Sequence, residues 1–172
     1  MKKWIVIAAL LTASMALADS PPPLQTVPHV DLARYTGHWY EIARYPNWFE
    51  HGCASNATAS YTVLADGKIE VINTCRTDRG KIRISRGKAV VADSATNAKL
   101  KVSFFWPFSG NYWIIDLAPD YSYAVVGEPR RGYLWILSRT PELSDAAYSE
   151  ILTRMLQQAY DPRKLVKTPQ TK

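Results

Sequence analysis

The chain has 172 residues, 47% hydrophobic and 21% charged, a length that supports one domain with a sizeable core rather than two, and nothing in it repeats. Its net charge of +6 comes without a clustered basic motif, a zinc pattern or an aromatic RNA-binding signature, so nucleic acid is excluded as the expected partner. His29, His38, His51 and the two cysteines show no ligand spacing, so no metal or other cofactor is expected either.

At the N-terminus, Lys2 and Lys3 precede an apolar run over residues 4–11, and Ala16-Leu17-Ala18 supplies a small-x-small cleavage pattern. Residues 1–18 are therefore expected to be a cleaved signal peptide. The apolar run is short for a membrane span and gives way at once to Asp19 and a proline cluster. Cleavage leaves 154 residues and takes the basic count from 21 to 19 against 15 acids, a net charge of +4. Residues 19–36 read as an extended lead-in, because the prolines between Pro21 and Pro28 fix φ and remove donors, with a helical turn over 31–35. The remaining segment, 37–172, reads as one folded unit. Cys53 and Cys75 both lie in the exported part, and an even count in an oxidising compartment reads as one disulfide. Closing a loop of that length stabilises by roughly 3 kcal/mol in the chain-entropy model.

Short β-rich segments then follow at regular intervals, separated by turn chemistry. They are predicted over 39–45, 57–64, 68–76, 82–91, 100–105, 112–117, 123–127 and 133–139. Asp66-Gly67 signals a tight hairpin, and Gly87 reads as a bulge. Eight consecutive antiparallel strands have a reason to close on themselves, since closure removes exposed edges. The fold class is therefore all-β, an eight-stranded antiparallel up-and-down β-barrel. After Pro141, Ser144 can cap a helix whose Tyr148, Ile151, Leu152, Met155 and Ala159 form one apolar stripe. Tyr40 and Ile42, opposite in parity to Trp39, place this C-terminal helix against the outside of the barrel, and Leu165-Val166 adds a last short strand.

Period-two alternation assigns inner faces. The inward set is Ala57, Ala59, Tyr61 and Val63, then Ile69, Val71 and Asn73, then Ile82 and Ile84, then Leu100, Val102 and Phe104. In the sixth strand, Tyr112 and Trp113 stand for two parities that the pattern leaves open. In the eighth, Tyr133, Trp135 and Leu137 share the parity of Arg139. The implied wall is apolar and aromatic, with tyrosine hydroxyls and Asn73 as isolated polar points and few charges. Eight strands leave an interior that side chains fill or that holds one small ligand.

Two stretches bracket this pattern. Gly37-His38-Trp39-Tyr40-Glu41-Ile42-Ala43-Arg44 opens the first strand, and Tyr133-Leu134-Trp135-Ile136-Leu137-Ser138-Arg139-Thr140-Pro141 ends the last. Gly-x-Trp at the start with an Arg at the end, the guanidinium stacked on the indole, resembles the lipocalin signature in its bacterial and apolipoprotein D-like branch. The resemblance implies a barrel with a cavity, and a carrier that holds a fatty acid, lysophospholipid or similar amphipathic molecule for transport or storage in membrane maintenance. Some members of that branch also dimerise. No Cys stands at the expected cleavage point, unlike bacterial lipocalins that are lipoproteins. The expected location is therefore the periplasm, soluble or loosely held at the outer membrane, with secretion as the alternative.

Basic residues Arg76, Arg79, Lys81, Arg83, Arg86 and Lys88 gather around the third and fourth strands, as a solvated face or as an attraction to phosphate head groups. Two other functions stay open. A lipid-modifying enzyme would use Glu41, Asp116 or a free Cys53 inside the cavity, although no Gly-x-Ser-x-Gly elbow or nucleotide loop is present and no catalytic residue is assigned. A protein-binding barrel would use the aromatics Trp48, Phe49, Trp106, Pro107 and Phe108 on its loops.

Overall fold

A computed structural model of the chain describes residues 21–171, so the signal peptide expected over 1–18 lies outside the described residues. Its elements in order are α1 (Leu32–Tyr35), β1 (Gly37–Arg44), β2 (Cys53–Val63), β3 (Ile69–Thr77), β4 (Ile82–Val91), β5 (Lys99–Phe105), β6 (Phe108–Leu117), β7 (Tyr123–Gly127), β8 (Leu134–Ser138), α2 (Asp145–Gln157) and β9 (Val166–Lys167). Each strand from β1 to β8 pairs antiparallel with the next, and β1 pairs with both β2 and β8, which closes the barrel. Because successive strands reverse direction, the β1–β2, β3–β4, β5–β6 and β7–β8 connections emerge at one end, the mouth. The other connections and the N-terminal lead-in gather at the opposite end, the floor.

The floor is closed by α1. Asp31 caps this single turn, its carboxylate accepting from the amides of Ala33 and Arg34, while its own amide bonds Tyr121 Oη. The free carbonyls at the end of the turn meet Arg139, whose guanidinium accepts no bonds and donates to the carbonyls of Arg34, Tyr35, Thr36 and His38 at 2.6–3.1 Å. The same guanidinium lies 3.7 Å above the centre of the Trp39 ring, and Trp39 Nε1 donates to the Tyr35 carbonyl. Trp39 is completely buried. Gly37 adopts φ +98° here, a conformation open to glycine at little cost, and so turns the chain from α1 into the barrel.

Two apolar layers flank the sheet. Inside, Trp39, Tyr61, Ile69, Val71, Leu100, Ile114, Val126 and Leu137 pack together; outside, Ile151 and Met155 of α2 sit on Ile42, Ala43, Ile115, Val125, Leu134 and Ile136. Helix α2 thus covers β1 and β6–β8, as its stripe predicts. Arg154 fastens it through Asp116 at 2.7 Å and Tyr123 Oη at 2.6 Å. Tyr160 then brings the chain back onto the sheet, its hydroxyl accepting from the Glu128 amide and donating to the Glu128 carbonyl.

Strand β1 pairs with β2 only over Gly37–Tyr40, and nearer the mouth the two part. The C-terminal segment fills the opening. β9 pairs with Ala43 and Arg44, the Thr168 amide donates to the Ile42 carbonyl, and Gln170 Nε2 bridges the carbonyls of Glu41 and Ala57. On the β2 side, Asn56 donates to the Pro169 carbonyl. Cys53 and Cys75 form the disulfide between β2 and β3.

Two assignments of facing are corrected, in β4 and at Val63, and the parity left open in β6 is decided. In β4, Ile69 opposes Ala89, Val71 opposes Gly87, Asn73 opposes Ser85 and Cys75 opposes Arg83. This register turns Arg83, Ser85, Gly87 and Ala89 inward and leaves Ile82 and Ile84 exposed on the outer face. The β3–β4 ladder is unbroken, so Gly87 is no bulge; it is a close approach, where an added Cβ would lie 2.7 Å from the Ser103 carbonyl and 2.8 Å from the Phe104 ring. In β6, a register shift between Ile114 and Asp116 changes parity mid-strand. Tyr112, Ile114 and Leu117 face inward, whereas Trp113 lies outside beneath Lys99, whose ammonium is 4.6 Å from its ring centre. Val63, at the end of β2, is exposed.

Candidate functional site: the barrel interior

The inner wall divides into a packed floor and an open upper half. Ala59, Tyr61, Ile69, Val71, Ala89 and Leu100 are buried at the floor, and Tyr61, Ile69, Ala89 and Leu100, with Tyr35, Val102 and Tyr112, line a small pocket of about 10 Å³, room for one water. Nearer the mouth, Asn73, Ser85, Val102, Phe104, Tyr112, Tyr133 and Trp135 also face inward but are only half-buried. Inward residues of a closed barrel that still meet solvent define a cup. Of the residues assigned to a ligand wall from sequence, Ala59, Tyr61, Ile69, Val71, Asn73, Leu100, Val102, Phe104, Tyr112, Tyr133 and Trp135 share this interior. Ala57 is buried where the β2–β3 register shifts, while Ile84 and Trp113 stand outside it.

At the bottom of the cup, Tyr112 Oη lies 2.7 Å from Tyr35 Oη and 2.9 Å from Tyr61 Oη. Burial pushes the Tyr61 hydroxyl up to about 12 and raises those of Tyr35 and Tyr112 as well, so all three remain neutral donors and acceptors. On the wall above, Asn73 Oδ1 is a buried acceptor with no hydrogen-bond partner among the described residues. An amphipathic molecule entering the cup meets apolar surface, hydroxyls and one free amide oxygen.

The few charges expected in the interior prove to be a cluster. The register of β1 against β8 shifts between Glu41 and Ala43, so Glu41 opposes Leu137 and Arg44 opposes Trp135. The extra residue turns Ile42 and Ala43 both outward and Glu41 and Arg44 both inward. Arg44 pairs with Glu41 at 3.1 Å and with Glu50 at 2.9 Å, and Glu50 accepts from Trp135 Nε1 at 2.9 Å. Thr168, from the C-terminal segment, donates to Glu41. Two carboxylates thus share one guanidinium. Burial, then repulsion from Glu50, push the Glu41 carboxyl up to about 8, against the opposing pull of Thr168 and Arg44.

The β1–β2 loop is drawn across the mouth by this cluster. Phe49 packs on Tyr133 and Trp135, whose rings stack 5.9 Å apart, and Arg83 donates to the carbonyls of Phe49 and His51. The other basic residues of β3 and β4, Arg76, Arg79, Lys81, Arg86 and Lys88, are exposed. Of the side chains considered for catalysis, Cys53 is held in the disulfide and Asp116 points at α2. Among the described residues, no group of three or more His, Cys, Asp and Glu side chains gathers to hold a metal ion.

A closed antiparallel barrel with its floor sealed by an Arg–Trp stack, a cup open at the other end and one helix outside defines a binding-barrel class. A family model described as a lipocalin-like domain matches residues 30–170, and the chain belongs to the lipocalin-like family. It is 42% identical to the outer membrane lipoprotein Blc of Escherichia coli over 160 residues, covering 92% of this chain and 90% of that one. It is also 38% identical to temperature-induced lipocalin-1 of Arabidopsis thaliana (86% and 83% covered) and 33% identical to apolipoprotein D of Macaca fascicularis (87% and 80% covered). Among solved structures, insecticyanin from the tobacco hornworm superposes with a TM-score of 0.68 at 21% identity, covering 89% of this chain and 87% of that one. Lobster apocrustacyanin A1 gives 0.65 at 22% identity, covering 81% and 79%. At such identities, these two likenesses speak for the fold alone.

Proposed function

We propose that the chain is a carrier that holds one fatty acid, lysophospholipid or similar amphipathic molecule in the cup, with no chemical step. The observation that carries this reading is the set of inward yet half-buried residues, Asn73, Val102, Phe104, Tyr112 and Trp135, above a sealed floor. An acyl chain there gains about 0.8 kcal/mol per buried methylene, so roughly ten methylenes supply about 8 kcal/mol before ordering costs. The packed floor directs the chain to the upper half, or requires Tyr112 and Phe104 to swing aside. The head group then lies towards the mouth, within reach of Asn73 and the Arg44 cluster. Family membership supports binding of a small hydrophobic ligand, and kinship to an outer membrane lipoprotein and to apolipoprotein D supports an exported protein working beside a membrane.

Native mass spectrometry of the exported protein, with extraction of its bound small molecules, tests the reading. A fatty acid or lysophospholipid that is lost on delipidation and regained with one-to-one stoichiometry is the expected result. A barrel that is empty and ignores both ligand classes on titration refutes it.

A further inference from the structure

Four large aromatic side chains stand in water at the mouth. Phe105, Trp106 and Phe108, on the β5–β6 hairpin, are 77%, 91% and 76% exposed, and Trp48, on the β1–β2 loop, is 78% exposed. Strand order puts both connections at the same end of the barrel. A cluster of this kind on a water-facing surface marks a contact site. Trp at a projecting tip suits the boundary between water and hydrocarbon, where its amphipathic ring keeps one side in each, and Phe beside it supplies the apolar group that enters the hydrocarbon side. The neighbouring β3–β4 connection, at the same end, carries Arg79 and Lys81, both exposed, against Asp78 alone. The β7–β8 connection adds Arg130, also exposed, while its Glu128 is buried and turned onto the amides of Arg130 and Gly132. The rim therefore presents aromatic tips fringed by positive charge.

We propose that the mouth end docks on a phospholipid bilayer bearing anionic head groups, with Phe105, Trp106 and Phe108 entering the interface and Arg79, Lys81 and Arg130 lying over the phosphates. The aromatic tips supply apolar insertion and the basic fringe supplies charge complementarity, two independent requirements for reversible attachment to a surface. Docking in this pose sets the cup opening against the lipid. Only that consequence, direct passage of a ligand between bilayer and cup, rests on the carrier reading.

The test is co-sedimentation of the exported chain with large vesicles of phosphatidylcholine, with and without three-tenths phosphatidylglycerol, at low and high salt. The wild type is expected to pellet with the anionic vesicles and to be released at high salt, since surface charge attraction is screened. Phe105→Ser/Trp106→Ser/Phe108→Ser should lower the bound fraction at least fivefold, and Arg79→Glu/Lys81→Glu should abolish the difference between the two vesicle types. Both variants should keep the wild-type affinity for a fluorescent fatty acid in solution, which also reports that they are folded. Wild-type protein left in the supernatant, or an aromatic variant that pellets equally well, overturns the docking surface while leaving the carrier reading standing. A wild-type dimer that the aromatic variant dissolves, without vesicle binding, assigns the patch to a second copy and likewise overturns it. Vesicle binding with no fatty-acid affinity in the wild type would sustain docking and sink the carrier.

Discussion

Glu41→Gln isolates the buried acid cluster and makes a signed prediction about pH. The Glu41 carboxyl sits at about 8 in the folded chain against 4.5 in its unperturbed state, because burial and Glu50 oppose its ionisation. The folded state therefore binds this proton more tightly than the unfolded state. The resulting stabilisation is complete below pH 4.5, declines above it, and is lost once pH passes the folded value. Within that window one extra bound proton changes stability by up to about 1.4 kcal/mol per pH unit. Between pH 5 and pH 8 the wild type should lose about 2–4 kcal/mol through this group, the lower figure allowing for Glu50 and Arg44 sharing the charge. Glutamine keeps the size and neutrality of the protonated acid, so the variant should lack this slope. Urea unfolding at pH 5, 6.5, 8 and 9 measures both chains, and the quantity of interest is their difference. That difference should move in favour of the variant as pH rises and then level off. Glu50→Gln supplies the control: removing the repelling partner should draw the Glu41 carboxyl down and narrow the window. Parallel wild-type and Glu41→Gln profiles, within about 0.5 kcal/mol throughout, would refute the account of Glu41 as a buried acid that holds its proton in the folded chain.

Three further substitutions probe other parts of the fold and the cup. Tyr112→Phe removes the hydroxyl that links Tyr35 and Tyr61, stranding two buried polar groups, and should cost about 1–3 kcal/mol, read as a lower urea midpoint at unchanged slope. Gly127→Ala places a methyl against the Tyr160 hydroxyl, which is buried and bonded to both polar atoms of the Glu128 backbone. Overpacking and the two strained bonds should cost about 2–4 kcal/mol, seen as a thermal midpoint lower by roughly 5–15 °C, part of which Tyr160→Phe in the same chain should restore. Trp135→Arg should leave the barrel folded, because the new guanidinium faces the two carboxylates that now share Arg44. It should weaken fatty-acid binding about ten- to a hundredfold by removing roughly 50–100 Å² of apolar contact, and an unchanged affinity in the folded variant would take Trp135 out of the ligand wall.

Most of the barrel was legible because its evidence is repetitive: alternating strands, turn residues between them, and one helical stripe. The inner wall was legible wherever strands run without interruption, as at Ile69–Val71–Asn73 and Leu100–Val102. It failed in two distinct ways. Ile82 and Ile84 alternate with Arg83 and Ser85, and hydrophobicity put the isoleucines inside; pairing with Thr74 and Arg76 puts them outside. The arginine that turns inward is tolerated because it reaches backbone carbonyls of the mouth loop, a partner no local pattern announces. In β6 and at Glu41–Arg44 the cause is a single extra residue, since one slip reverses every later side chain of a strand: Leu117 faces inward after the slip while Trp113, before it, faces out, so no single parity describes β6. The segment Glu41-Ile42-Ala43-Arg44 did hold a usable signal: strict alternation would have placed Ala43 inside and Arg44 in water, leaving Glu41 alone in an apolar barrel. A bulge that brings Arg44 in as its partner resolves that conflict.

The same bulge ties the cup to the chain's far end. With Ile42 and Ala43 both outward, β1 offers apolar surface to α2 and backbone edge to β9 at once, which lets the C-terminal segment occupy the gap that β1 and β2 leave near the mouth. Thr168 then reaches through that gap to Glu41. Ionisation of Glu41 consequently acts on two things together, the balance of charge inside the cup and the seating of the strand that seals its wall. At the floor the Arg139 cation is held instead by carbonyls and an indole face, with no carboxylate partner among the described residues. The carboxyl whose ionisation burial opposes thus lies towards the mouth of this barrel, beside the segment that completes its wall, and not at the floor.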